Sequence, residues 1–224
     1  MTASASPNHG ARRGGQTPGL IVLHYTAMAS SAEARVRLCD PAHEVSAHWL
    51  VHLDGQAEPL VDETRRAWHA GAGAWGTVSD VNSASIGVEI QNTGHAPFTE
   101  PQMAGLERLL AGIMARWSIG PAGVIGHSDM APDRKSDPGP HFDWRRLALG
   151  GFGVWPDDAA GLGKAPADPE PDFLRQAHRF GYPIADLPIL LHAFRLRFRP
   201  WAKGPLDAVD SALAANLAHR FPAV

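Results

Sequence analysis

One six-residue run, Leu20-Ile21-Val22-Leu23-His24-Tyr25, limits the fold more than any other feature of the chain. Four consecutive aliphatic residues after Pro18-Gly19 read as a buried strand. Side chains alternate along a strand, so His24 shares a face with Val22 and not with Ile21 and Leu23. A second run, Ser85 to Gln91, sets Ile86, Val88 and Ile90 on one face and Gly87 and Glu89 on the other. A buried carboxylate is costly without a partner. Glu89 therefore needs one, and the missing side chain at Gly87 predicts room there for a ligand or water.

The remaining elements follow from period and punctuation. Ser30-Ser31 starts a short helix, Ala32 to Leu38, which Pro41 stops. Val45 to Leu53 reads as a strand, Asp54-Gly55 as a two-residue hairpin turn, and Gln56 to Val61 as the return strand. Glu63 to Ser83 has no clean period and reads as a long loop, a length that is usually functional when aromatic residues such as Trp68 and Trp75 hold it. Thr99 and Gln102 form a capping box that opens a helix running to Trp117, with Met103, Leu106, Leu110 and Ile113 as its apolar stripe. Val124-Ile125 is a short strand, Gly126 to His141 a loop, and Phe142 to Leu149 a closing helix. From Gly150 to Asp172 the composition shifts to Gly, Pro, Ala and Asp, which marks a linker. We set a catalytic unit at 1–155, the linker at 156–171 and a helical unit at 172–224. Three stripes end the chain: Phe173, Leu174, Ala177 and Phe180; Leu187, Leu190, Leu191, Phe194 and Phe198; Leu206, Val209, Leu213 and Leu217.

Composition excludes several classes. The net charge is −3 and no basic run occurs, so no charge-driven nucleic-acid surface is expected. No apolar stretch is long enough to span a bilayer. A single cysteine, Cys39, rules out an intrachain disulfide and a thiolate-rich metal site, and its neighbours make it a small buried apolar residue. The N-terminus lacks the apolar middle of a signal peptide, which places the chain in the cytoplasm as written, or in the periplasm if an export signal has been trimmed.

Twelve histidines stand out, and position selects among them. His24 ends the first strand, and ligands often project from strand ends in sheets flanked by helices. His127 follows a short strand and Gly126 in the same way, and Asp137 comes ten residues later. Two histidines and one carboxylate are a standard catalytic zinc set that leaves a fourth position open. Without a metal, Asp137-Pro138-Gly139 is an ordinary turn and each histidine a strand-end core residue. Lys135 lies two residues before Asp137 and faces the same side in an extended loop.

Six motifs then occur in one order: Leu23-His24-Tyr25-Thr26, Ser46-Ala47-His48-Trp49, Trp68-His69-Ala70-Gly71, Ile86-Gly87-Val88-Glu89-Ile90, Gly126-His127-Ser128-Asp129 and Lys135-Ser136-Asp137-Pro138-Gly139. Over about Ser6 to Trp155 the chain resembles the type 2 N-acetylmuramoyl-L-alanine amidases, the AmpD and AmiD family. The resemblance implies an α/β fold with a mixed central sheet flanked by helices, and one zinc per chain held by His24, His127 and Asp137. It implies Glu89 as general base, Lys135 as oxyanion stabiliser, and His69, Asn92 and Trp68 in the substrate groove. Where many phage relatives carry a tyrosine this chain has His48-Trp49, so His48 is given no catalytic role. The substrate implied is peptidoglycan or an anhydro-muropeptide, acted on by a monomer. Ala193-Phe194-Arg195, Phe198-Arg199-Pro200 and Gly204-Pro205-Leu206-Asp207 resemble a small all-α peptidoglycan-binding three-helix bundle. A plain packing extension of the catalytic unit is the alternative for those helices.

Overall fold

The structure is a computed structural model that describes residues 5–157 and 168–223. Most of the expected 156–171 linker lies outside the described residues. Seven strands are present among them: β1 (His9–Gly10), β2 (Leu20–Tyr25), β3 (Trp49–Val51), β4 (Ala57–Pro59), β5 (Arg66–Ala67), β6 (Ser85–Ile90) and β7 (Val124–Gly126). Five of them form one sheet in the order β4-β3-β6-β2-β7, and β1 pairs with β5 in a separate ribbon. Only β4 runs antiparallel to its neighbour, so the sheet is mixed as expected. The run Leu20–Tyr25 is buried because β2 lies between β6 and β7. His24 pairs in register with Glu89, and Leu23 with Gly126. Three carboxyl ends thus meet at one edge of the sheet.

Alternation sorts the two faces. Ile21, Leu23, Ile86, Val88 and Ile90 pack against Met103, Leu106, Leu110 and Ile113 of α3 (Glu100–Trp117). Burying each such side chain contributes roughly 1.5–3 kcal/mol. The capping box is formed: the Gln102 N–H donates to Thr99 Oγ1 at 3.2 Å, and the Thr99 N–H to Gln102 Oε1 at 3.1 Å. Val22 and Ile125 face the other way. They join one continuous core with Trp75, Met130 and three C-terminal helices, α6 (Pro169–Phe180), α7 (Leu187–Phe198) and α8 (Ala208–Arg220). Of the expected stripes only Val209 is exposed, at 37%. The remaining helices are short: α1 (Ser31–Cys39), α2 (Val81–Ala84), α4 (His127–Met130) and α5 (Trp144–Leu149). No described helix is long and apolar enough to cross a membrane.

Several expectations change. The strand over Val45 to Leu53 shortens to β3, because Ser46 bonds instead to Asn8 and Trp68. The hairpin loop has three residues, Leu53 to Gly55, since the His52 N–H donates to the Gln56 carbonyl and only Gly55 takes a positive φ. The long Glu63–Ser83 loop holds β5 and runs into α2, and Asn82 Oδ1 ties it down by accepting the His69 and Ala70 N–H groups. The loop after Gly126 begins as α4, whose Asp129 caps the Gly126 N–H at 2.8 Å. Cys39 is half-buried, and burial pushes its thiol up, which fits an inert packing residue.

Asp129 also joins the two ends of the chain. It is fully buried, accepts from Arg197 Nη1 at 2.6 Å and from the Tyr182 hydroxyl at 2.7 Å. Arg197 Nη2 reaches the Val124 carbonyl at 3.1 Å, and the guanidinium stacks 4.3 Å from the Trp144 ring centre. Removing one partner of a buried pair strands the other charge, at about 3–5 kcal/mol. Arg197→Met is expected to lower the unfolding free energy read from urea denaturation by that amount, and the midpoint with it, in a chain that otherwise unfolds in one transition. Two separate transitions in the parent, or an unshifted midpoint in the variant, would count against a shared core.

Candidate metal centre

Each donor is placed by a local feature. His24 is the fifth residue of β2, on the Val22 face. His127 opens α4 directly after β7, where the Asp129 cap fixes the turn. Asp137 comes from the following loop, and its carbonyl accepts the Ser128 N–H at 2.9 Å. The three side chains converge. His24 Nδ1 lies 2.9 Å from Asp137 Oδ2 and 2.9 Å from His127 Nδ1, and His127 Nδ1 lies 3.0 Å from Asp137 Oδ2. They are the one group of this kind among the described residues. All three are at most 8% exposed.

The chemistry of this donor set fits a metal ion. His127 Nε2 lies 2.9 Å from the Ala70 carbonyl, which can only accept, so Nε2 carries the proton. The Nδ1 lone pair is then left facing a carboxylate oxygen and a second imidazole nitrogen. Three electron pairs aimed at one point repel one another unless a cation lies between them. Burial opposes ionisation of Asp137, yet its contacts with His127 and His24 outweigh that and hold its carboxyl well below the usual range. Burial, then the neighbouring His127, lowers His24 to about 4, which keeps it a neutral ligand.

Glu89 stands beside this cluster, in register with His24, and its Oε2 is buried without a partner. Burial first, then Asp137, pushes its carboxyl well above the ordinary value, while Lys135 pulls it down. Lys135 is exposed and lines the same cleft of about 430 Å³, with Tyr25, Trp68, His69, Arg134 and Ser136. Asn92 does not line it. Its side chain closes the turn to Ala96, donating to the Ala96 carbonyl and accepting the Gly94 N–H. The space above Gly87, expected to admit a ligand, is filled by the His69 ring, which a Cβ there would meet at 2.3 Å. Arg134 was not singled out by sequence reasoning. It donates to the Ala70 and Ala72 carbonyls and so braces the carbonyl that orients His127. Its only sequence signal is its place beside Lys135.

His48 is buried behind the centre, away from the cleft. The Gly87 N–H donates to its Nδ1 at 2.9 Å, and Nε2 lies 3.0 Å from the Arg65 carbonyl. Burial lowers its pKa from 6.5 to about 4. A group with a depressed folded pKa that is neutral when unprotonated binds its proton more tightly in the unfolded chain. Its contribution is present above pH 6.5 and is lost as pH falls towards 4, at ~3 kcal/mol. His24 acts in the same sense. Urea midpoints of the chelator-treated chain should fall through this window, and His48→Gln should flatten the slope. A parent whose midpoint is constant across it contradicts the assignment.

Residues 14–140 match the N-acetylmuramoyl-L-alanine amidase family. Over 90% of its length the chain is 35% identical to the N-acetylmuramoyl-L-alanine amidase AmiD of Escherichia coli, of which it covers 83%. It is 32% identical to the 1,6-anhydro-N-acetylmuramyl-L-alanine amidase AmpD of the same organism, over 64% of this chain and 88% of AmpD. The structure superposes on E. coli AmiD, solved with its substrate anhydro-N-acetylmuramic acid-L-Ala-D-γ-Glu-L-Lys, with a TM-score of 0.85 at 32% identity, covering 100% of this chain and 94% of that one. The mixed sheet, its flanking helices and the C-terminal helices all fall within that superposition. The chain belongs to the N-acetylmuramoyl-L-alanine amidase family, among its AmpD/AmiD-like members.

Proposed function

We propose that this chain is a zinc-dependent N-acetylmuramoyl-L-alanine amidase. It hydrolyses the amide between the lactyl group of muramic or anhydromuramic acid and the L-Ala of the stem peptide, in peptidoglycan or its fragments. The observation that carries this is one cleft holding the His24–His127–Asp137 triangle beside an unpartnered Glu89 oxygen. A fragment-binding protein has no use for a desolvated carboxylate of that kind. The relation to AmiD, whose structure was solved with an anhydromuramoyl tripeptide, supports the same bond as the target.

His24, His127 and Asp137 would hold the zinc through His24 Nδ1, His127 Nδ1 and Asp137 Oδ2, the atoms that converge. When bound, it would supply Lewis acidity to the scissile carbonyl and to the attacking water. Glu89 Oε2 accepts the water's proton and returns it to the leaving amine of L-Ala. Lys135 offers an ammonium N–H to the oxyanion from the solvent side of the cleft. Trp68 and Tyr25 contribute flat walls to the same cleft. The products are a muramoyl acid and a peptide with a free L-Ala amino group.

Glu89→Gln is expected to retain one zinc per chain while turnover falls about 10²–10⁴-fold. His127→Ala is expected to lose the metal. Metal analysis and mass spectrometry of muropeptide digests check both. A digest that leaves L-Ala on the sugar would point to a stem-peptide peptidase. An active Glu89→Gln would remove the base from the scheme.

A further inference from the structure

The proton path leading away from His24 can be followed atom by atom. Ser85 Oγ lies 2.5 Å from the Val81 carbonyl, an acceptor only, so the hydroxyl proton points there. Ser85 Oγ is left to accept from His69 Nε2 at 3.2 Å. His69 Nε2 therefore carries a proton. A neutral imidazole carries one ring proton, so with Nε2 protonated its Nδ1 holds a lone pair. That lone pair sits 3.1 Å from His24 Nε2. His24 must donate from Nε2, and its Nδ1 is left bare towards His127 and Asp137.

The packing around the His69 ring agrees with this chain of bonds. Gly87 has no side chain because the His69 ring occupies its place: a Cβ there would lie 2.3 Å from His69 Cγ. The His69 backbone is fixed separately, through its N–H to Asn82 Oδ1 at 3.0 Å. The ring also stands edge-on to His24, with centres 5.2 Å apart. His127 is oriented by a simpler device, a single carbonyl on Nε2. The two histidine ligands are thus aligned by unlike partners, one a carbonyl and one an imidazole relay.

We infer that His69 is a positioning residue for the metal centre: its Nδ1 accepts from His24 Nε2 and so selects the His24 tautomer that binds metal. This rests on the zinc reading above and gives His69 a task other than lining the groove. A partner on the far nitrogen of a histidine ligand is generally worth 10–100-fold in metal affinity.

Substitutions that keep one end of the imidazole and not the other separate this role from packing. In His69→Asn the amide oxygen can stand where Nδ1 stands, whereas in His69→Gln the terminal group reaches towards Nε2. Zinc dissociation constants, read by competition with a chromogenic chelator, are the primary measurement. Visible spectra of the cobalt-loaded proteins are the second. His69→Ala and His69→Gln are expected to weaken zinc about 10–100-fold, and His69→Asn to recover most of that loss. Gly87→Ala should weaken zinc comparably by displacing the ring, and should cost nothing more in a His69→Ala background. Melting of the zinc-free variants identifies any that fail to fold, and the Asn and Gln pair then decides the matter. Parent-like affinity in His69→Ala, or equal affinity in Asn and Gln, overturns the inference while the amidase reading stands. A parent that binds no zinc overturns both.

Discussion

The buried carboxylate of Asp129 is the constraint on which the rest of the structure turns. One oxygen caps the turn that launches His127 and meets the Arg197 guanidinium; the other takes the Tyr182 hydroxyl. A charge this deep needs compensation from the same depth. The compensation comes from helices some seventy residues further along the chain. The sheet, the turn that carries His127 and the C-terminal helices are therefore held by one ion pair, reinforced by a single apolar core across the Val22 face. The helices that resemble a wall-binding bundle are also part of the packing beneath the centre.

Around the His24–His127–Asp137 cluster the governing physics is desolvation. His24, His48 and His69 lie within one T-shaped stack, and each is held below its ordinary pKa by burial. Neutral imidazoles are what a cation site requires, since a protonated ring cannot ligate. Each ring nitrogen pointing away from the centre has a backbone or side-chain partner, so the lone pairs that remain are directed inward. Glu89 is the exception to this saturation. Its buried, unpartnered oxygen costs free energy in the resting fold, which a reacting water can offset.

Much of this was legible along the chain. The alternation in Leu20–Tyr25 and Ser85–Ile90 assigned His24 and Glu89 to the face opposite Ile21, Leu23, Val88 and Ile90, and the packing of those four against α3 bears that out. His24, His127 and Asp137 do meet. What could not be read was anything that depends on through-space neighbours with no fixed sequence offset. Gly87 looked like an opening for ligand, because a glycine shows that a side chain is missing but not what fills its place. Asn92 looked like a groove residue, but its amide is consumed by its own turn. Arg134 gave no signal beyond its place beside Lys135, since a loop arginine is ordinarily solvated and only the fold brings two carbonyls to it.

The sequence by itself determined most of the element types and the faces of the buried strands, which follow from periodicity and residue chemistry and are local. Its ordered motifs, through their resemblance to the family, named His24, His127 and Asp137. Tertiary structure alone decided which nitrogen of each histidine faces the centre, why Gly87 is glycine, and that the last three helices share the sheet's core. Those depend on hydrogen bonds and contacts between segments 16 to 73 residues apart, whose geometry exists only once the chain has closed on itself.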